Sequence, residues 1–342
     1  MQTQRAWLKL PSFKRLNRKD KGLLSVLLLC FIAVLVDYFS YDALTPLRVL
    51  SANRGLNGLW LRYYWYAGKY NSKPEEWSAM IGRLRSHQIK YAYFHVLTTN
   101  SDGTLHMRKL ENARMITSTV HAQAPGVMPI AWLYAGSSAG GGGVDLTKPE
   151  TRKNLIKELL WLINECGFDG VQIDYEFCAC GDRGFLDLMH ELRAAMPSGK
   201  LLSVATPMWY PGTLYGWNDK YFAQVAHDAD QIAVMCYDSY LYLPRLYVQL
   251  VAAQVLHVTN AVVQSGNRGC KVVFGLPTYE DVTLAHHRPS ESLANSLRGI
   301  GQGLAEAKTQ HGTIDGIALF ADYTTDDNEW KLYDRLWLGK AQ

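Results

Sequence analysis

Eight short apolar runs, each followed by an amphipathic stretch, succeed one another from residue 55 to the end of the chain. They are GLWLRYYWY (58–66), IKYAYFHVL (89–97), GVMPIAWLY (126–134), FDGVQIDYE (168–176), KLLSVATPM (200–208), QIAVMCYD (231–238), KVVFGLP (271–277) and IDGIALF (314–320). The stretches between them read as helices, such as PEEWSAMIGRLRSH (74–87) and PETRKNLIKELLWLINEC (149–166). In the second, Leu155, Leu159, Leu160 and Ile163 recur at helical spacing. Thr147 or Asp145 is the expected cap of that helix, Pro149 suits its first turn, and Gly167 suits its end. Strands alternating with helices imply a parallel sheet. A count of eight favours closure into a (β/α)8 TIM barrel over an open doubly wound sheet, whose first turn would carry G-x-G-x-x-G. The glycine run GSSAGGGG (136–143) lacks the G-K-[ST] of a phosphate loop and reads as a loop at the mouth of the third strand. No linker divides 55–342, so that segment is expected to be one domain.

The residues ahead of the barrel have a different character. Residues 1–21 hold seven lysines and arginines against one acid, Asp20, leaving 28 bases and 30 acids in the remainder. The formal charge of +4 is therefore a property of the leading segment, and no basic face for nucleic acid follows from it. GLLSVLLLCFIAVLV (22–36) then runs without a charge, and extension through DYFSY gives about the 20 residues a bilayer requires, with Tyr38 and Tyr41 at interfacial positions. A core helix would need a polar face that this run lacks. A cleaved signal peptide would need a small-residue cleavage site, and no clear one follows. The expectation is an uncleaved signal anchor: a basic cytoplasmic segment (1–21), a transmembrane helix (22–41), a linker (42–54) and an extracytoplasmic domain (55–342), periplasmic or extracellular. Cys30 lies in the span; Cys166, Cys178, Cys180, Cys236 and Cys270 are expected to be mostly buried thiols, with a bridge from Cys178 or Cys180 as the alternative.

In a barrel of this kind, reactive groups gather at the carboxyl ends of the strands. By alternation Gln172, Asp174 and Glu176 share the inward face of the fourth run, whereas Asp169 falls on the other parity near the lower end and reads as structural. Two inward carboxylates in a confined site do not both ionise freely. Glu176 with Asp174 below it therefore suits a general acid donating to a leaving oxygen. A divalent metal and a purely structural pair remain open; against the metal, inward histidines are missing from the strand ends apart from His95.

DGVQIDYE resembles the D-x-x-D-x-D-x-E signature of glycoside hydrolase family 18, the chitinase and endo-N-acetylglucosaminidase family. Asp169, Asp174 and Glu176 match its first, third and fourth acids. MCYD (235–238) is similar to that family's M-x-Y-D on strand six, and FGLPTY (274–279) to its G-L-P-x-Y on strand seven. The resemblance implies that Glu176 is the acid/base, that Asp174 orients the acetamido group of the substrate, and that Tyr237 donates a hydrogen bond to the acetamido oxygen. Met235 and Asp238 would line the site. It also implies substrate-assisted retention, in which the sugar's own N-acetyl oxygen attacks the anomeric carbon. No cofactor and no metal is implied.

Two positions depart from the pattern. Gln172 replaces the second acid, and Phe320 stands where a tryptophan floor is usual. Gln172 can still hydrogen-bond Asp174, and the phenyl ring still offers a smaller stacking face. Most of the 20 tyrosines and ten tryptophans belong to core and surface. A subset near strand ends (Tyr64, Trp65, Trp132, Tyr134, Trp209, Tyr210, Tyr240 and Tyr242) suits a sugar-binding groove, with His95 as a wall residue. The expected function is an anchored retaining glycosidase for β-linked N-acetylhexosamine glycans: chitin-like oligomers, peptidoglycan or an exported polysaccharide. Its rivals are a lectin-like member of the same fold, and a hydrolase of a glycan without N-acetyl groups. The expected partners are the glycan and the membrane, with no nucleic acid.

Overall fold

The computed structural model describes residues 18–136, 143–175, 178–213 and 215–341. Eight parallel strands close in chain order into a barrel. They are β1 (Asn57–Leu61), β2 (Ile89–Thr98), β3 (Met128–Tyr134), β4 (Gly170–Asp174), β5 (Leu201–Thr206), β6 (Gln231–Met235), β7 (Lys271–Pro277) and β8 (Ile314–Phe320). Helix α1 (Arg18–Leu44) precedes them. Outside the strands lie α2 (Pro74–Ser86), α3 (Leu110–Gln123), α4 (Pro149–Asn164), α5 (Arg183–Ala195), α6 (Asp219–Asp228), α7 (Pro244–Gln264), α8 (Leu293–Ala305) and α9 (Asp327–Leu336). This is the TIM barrel expected from the alternation.

Contacts divide the chain into a unit that ends at Pro46 and a second unit, Leu47–Gln342. In the first unit, Lys21–Leu44 is long and apolar enough to cross a membrane, with a mean hydropathy of 2.4. Helix α7 is also long and apolar, but 56 % of its most apolar 18-residue stretch is buried within the second unit, as befits a barrel helix.

Two apolar clusters follow from strand parity. The larger lies between strands and helices. The smaller fills the lumen with Trp60, Tyr91, Tyr93, Ile130, Trp132 and small neighbours, Ala233 and Ala318 among them. Large rings fit there because glycines face them. A Cβ on Gly275 would stand 2.8 Å from Cη2 of Trp60, and one on Gly58 would stand 2.7 Å from Cε2 of Tyr93.

Polar groups buried in the lumen are chained together, as low dielectric demands. Trp60 Nε1 donates to Gln172 Oε1 (2.7 Å), and Gln172 Nε2 donates to Ser203 Oγ (3.0 Å). Ser203 and Tyr93 then both donate to Gln231 Oε1, at 2.8 and 2.7 Å. Below them the Tyr91 hydroxyl donates to Asp315 (2.8 Å), whose carboxyl burial holds above its ordinary range.

Three local expectations need correction. β1 stops at Leu61 rather than continuing to residue 66, because Ala67 and Lys69 bond back to the carbonyls of Tyr63 and Tyr64 and wind the chain into turns. The expected caps of α4 act one turn early: Asp145 Oδ1 accepts the Thr147 N–H (3.2 Å) and hydroxyl (2.6 Å), and Lys148 holds the N-cap position without a side-chain bond. All six cysteines are free thiols, so the alternative bridge does not form. Burial pushes the thiols of Cys166 and Cys178 up to about 12, which leaves them inert.

Candidate active site

Strands β3, β4 and β8, with the residue pair after β6, deliver the expected side chains to one end of the lumen. Asp174 ends β4 and is 3 % exposed; its Oδ2 accepts a hydrogen bond from Trp132 Nε1 at 2.9 Å. Trp132 stands on β3, paired with Gln172 in register, and its ring stacks on His95 of β2 with centroids 4.3 Å apart. Burial pushes the His95 imidazole down to about 4, against a hydrogen bond to the Leu97 backbone, so it is neutral near pH 7 and acts as a wall.

Phe320, at the end of β8, is the hub of the aromatic surface. Tyr237 stacks on it at 5.0 Å and 23°, while Trp60 (5.9 Å), Trp132 (6.0 Å) and Tyr279 (5.9 Å) meet it edge-on. Met235 ends β6, half-buried beside Gly275. Gln172 is wholly buried, and its carboxamide serves Trp60 and Ser203. Asp169 behaves as its parity implied, pairing with His121 (2.9 Å) and Lys200 (3.3 Å) at the lower end. Glu176 lies outside the described residues, as do residues 137–142 of the glycine run.

Several expected ring positions do not join this group. Trp209 is taken up by the helix layer: its ring stacks on His257 of α7 at 3.6 Å, and its Nε1 donates to Asp219 of α6. Gln254 of α7 also clamps the Trp209 backbone through both N–H and C=O. Trp65 is core, 2 % exposed against Tyr70 and Trp77. Tyr64 sits in the turn after β1, within 3.7 Å of the Arg62 guanidinium and 3.9 Å of the Lys69 ammonium. Tyr134 ends β3, half-buried; Tyr210, Tyr240 and Tyr242 are exposed.

A buried hydrogen-bond network holds the turn that bears Tyr237 and Asp238, and nothing in the sequence pattern announced it. Asp238 has a left-handed backbone, φ 56°. The buried carboxylate of Glu291 fixes it by accepting the N–H groups of Asp238 (2.8 Å) and Ser239 (2.9 Å) and the Ser239 hydroxyl (2.5 Å). His286 Nδ1 is 3.0 Å from the same carboxylate, which calls for the tautomer with hydrogen on Nδ1. The Tyr279 hydroxyl donates to Asp238 Oδ1 at 2.7 Å. Desolvation by the surrounding wall holds the Asp238 carboxyl above its ordinary range, although that hydrogen bond pulls the other way.

Ligand atoms of Asp238, His286 and Glu291 lie within 4.8 Å of one another, as a metal site would require. The oxygens of Glu291 are already engaged by two N–H groups, a hydroxyl and an imidazole, so the trio reads as a hydrogen-bonded scaffold. A depression of about 840 Å³ lies on the flank between α5 and α6, lined by Arg183, His190, Asp219 and His227.

Residues 61–338 match the family model described as glycosyl hydrolases family 18. No curated protein sequence matches the chain. Solved structures similar in fold include the C-terminal domain of a putative chitinase from Desulfitobacterium hafniense, with TM-score 0.58 and 15 % identity over 82 % of this chain and 98 % of that one. The spore cortex-lytic enzyme SleL of Bacillus cereus gives TM-score 0.55 and 13 % identity, covering 85 % of this chain and 75 % of SleL. A chitinase from Bacteroides thetaiotaomicron gives TM-score 0.53 and 16 % identity, covering 82 % and 94 %.

Proposed function

The chain belongs to the glycosyl hydrolases family 18 and is a glycoside hydrolase, and from that premise we propose a retaining, substrate-assisted enzyme for β-linked N-acetylhexosamine glycans. The observation that carries this reading is the meeting of a buried carboxylate with an aromatic floor. Asp174 is held by Trp132, and Trp132 and Tyr237 both lie against Phe320.

In this mechanism Glu176 gives its proton to the glycosidic oxygen as the C–O bond breaks, and the acetamido oxygen of the same sugar forms the new bond to the anomeric carbon. Asp174 accepts the acetamido N–H and aims the group, and the Tyr237 hydroxyl steadies its oxygen. The ionised Glu176 then takes a proton from water, which opens the oxazolinium ring from the opposite face with net retention. Phe320 and Trp132 supply apolar faces for the sugar. Helix α1 anchors the enzyme, with the barrel outside the cytoplasm; the basic charge at its leading end and its apolar length support that orientation.

Turnover of a panel of reporter glycosides and natural polymers, read by mass spectrometry, tests the reading. Glu176→Gln is expected to keep glycan affinity and lose about 10²–10⁴-fold in kcat, the range of a positioned acid. A thiazoline mimic of the intermediate is expected to inhibit. Full activity of Glu176→Gln on a natural polymer would sink the assignment; cleavage of plain glucosides without thiazoline inhibition would remove substrate assistance.

A further inference from the structure

Arg62 is the first residue beyond β1, two positions after Trp60. It borders the carboxyl ends of β1 and β8, where the Asp322 N–H donates to the Trp60 carbonyl at 3.0 Å. Its guanidinium carbon lies 3.7 Å from the ring centroid of Tyr64 and 4.7 Å from that of Tyr323. These rings come from the segments after β1 and β8, which are hydrogen-bonded neighbours. The Arg62 side chain hydrogen-bonds Tyr70, while its Nε is shielded from solvent and has no hydrogen-bond partner. The neighbouring acid, Asp322, gives both carboxylate oxygens to Arg83, at 2.5 and 3.0 Å. Lys69 adds a second cation 3.9 Å from the Tyr64 centroid. Among the described residues neither Arg62 nor Lys69 makes a salt bridge, and Arg62 has only the electrostatic attraction of Asp322, which it shares with Arg83.

The cations adjoin the reactive end of the barrel. Tyr63, between Arg62 and Tyr64, meets His95 edge-on at 6.4 Å; His95 stacks on Trp132, and Trp132 donates to Asp174. A neutral hexosamine polymer offers a half-buried guanidinium hydroxyl and carbonyl acceptors but no anion. Removing a cation from water without an anion is unfavourable. A guanidinium stacked on rings presents a planar fork that matches a carboxylate.

We propose that the mouth of the barrel holds a subsite for a carboxylate on the glycan, with Arg62 as its main contact and Lys69 as its support. The substrate class narrows accordingly to N-acetylhexosamine glycans in which a sugar near the cleaved bond is acidic, through a lactyl ether as in muramic acid or through a uronic acid. The inference rests on the glycosidase reading above, and binding and turnover separate the two.

The test is calorimetric titration of the full chain in detergent micelles with oligosaccharides of equal length. The probes are an N-acetylglucosamine oligomer, a peptide-free N-acetylglucosamine–muramic acid strand, that strand with its carboxyls converted to methyl amides, and an N-acetylglucosamine–uronate oligomer. At least one acidic glycan is expected to bind about tenfold more tightly than its neutral counterpart, as a charge-assisted contact allows, with the gap shrinking as salt rises. The two acidic arms identify which source of carboxylate fits. Arg62→Met is expected to bring the preference to within about twofold, and Lys69→Gln to reduce it by about two- to threefold. Arg62→Lys, which keeps the charge and loses the fork, is expected to retain less than half of it, and it decides the matter where Arg62→Met does not fold. Equal binding of acidic and neutral glycans by the unaltered chain, or a preference unchanged in the Arg62 variants, overturns the proposal. Acidic preference without hydrolysis of any probe would leave the subsite standing and remove the glycosidase reading.

Discussion

Gln172→Glu restores the acid of the family pattern at a point closed off from bulk solvent. The side chain is wholly buried, taking a hydrogen bond from Trp60 at 2.7 Å and giving one to Ser203 at 3.0 Å. A protonated glutamate keeps both, because its hydroxyl replaces the amide donor. An ionised one loses the donor and is left with a charge in low dielectric, offset in part by Trp60. Each unit by which burial lifts a carboxyl is about 1.36 kcal/mol, and a lift of about 2–3 units gives a penalty of about 3–4 kcal/mol once the group ionises. The sign follows from linkage. The folded-state pKa is raised above the unfolded value of about 4.3, so the variant is near the parent below about pH 4 and loses stability as pH climbs towards the raised value. Urea unfolding of the full chain in micelles, followed by tryptophan fluorescence at pH 4, 6 and 8, reads this directly. Gln172→Met is the control, with a loss that does not depend on pH. Equal losses for Gln172→Glu at all three pH values, or none at pH 8, would refute the reasoning.

Other expectations concern different parts of the molecule. Glu291→Ala strands the N–H groups of Asp238 and Ser239 and is expected to lower unfolding stability by about 2–4 kcal/mol; stability within about 0.5 kcal/mol of the parent would show that water replaces the carboxylate. Gly275→Ala places a methyl 2.8 Å from Trp60, so a loss of about 1–3 kcal/mol is expected in the same assay, with unchanged stability counting against a close-packed lumen. Alkaline phosphatase fused after residue 342 is expected to be active in a bacterial host, and an inactive, protease-protected fusion would reverse the orientation proposed for α1.

Strand-level structure was legible because it follows from short-range pattern. Alternation placed Gln172 and Asp174 on the inner face and Asp169 outside it, and the structure agrees at all three. Reading failed where the chain leaves the strand, since parity has no meaning in a turn. Trp209 lies beyond the end of β5 at Thr206, and its orientation is set by His257 and Gln254, 48 and 45 residues downstream. Tyr64 and Trp65 were read as strand because YYWY is a good strand sequence, yet backbone bonds from Ala67 and Lys69 wind them into turns. Glu291 carried no signal at all. Its role exists only because the fold brings the segment before α8 against the turn after β6, a distance of more than 50 residues along the chain.

The hydrogen-bonded chain across the lumen also bears on the order in which the barrel can be completed. Trp60, Tyr93 and Gln172 belong to the first four strands, whereas Ser203 and Gln231 belong to β5 and β6. A chain cut between β4 and β5 would leave a phenol and a carboxamide in one fragment facing a serine and a glutamine in the other, each buried side bereft of its counterpart. Half-barrels of this protein are therefore poor autonomous folders. A nascent chain emerging from its amino end has to keep the first four strands open, or wet, until Gln231 has been synthesised and threaded into place.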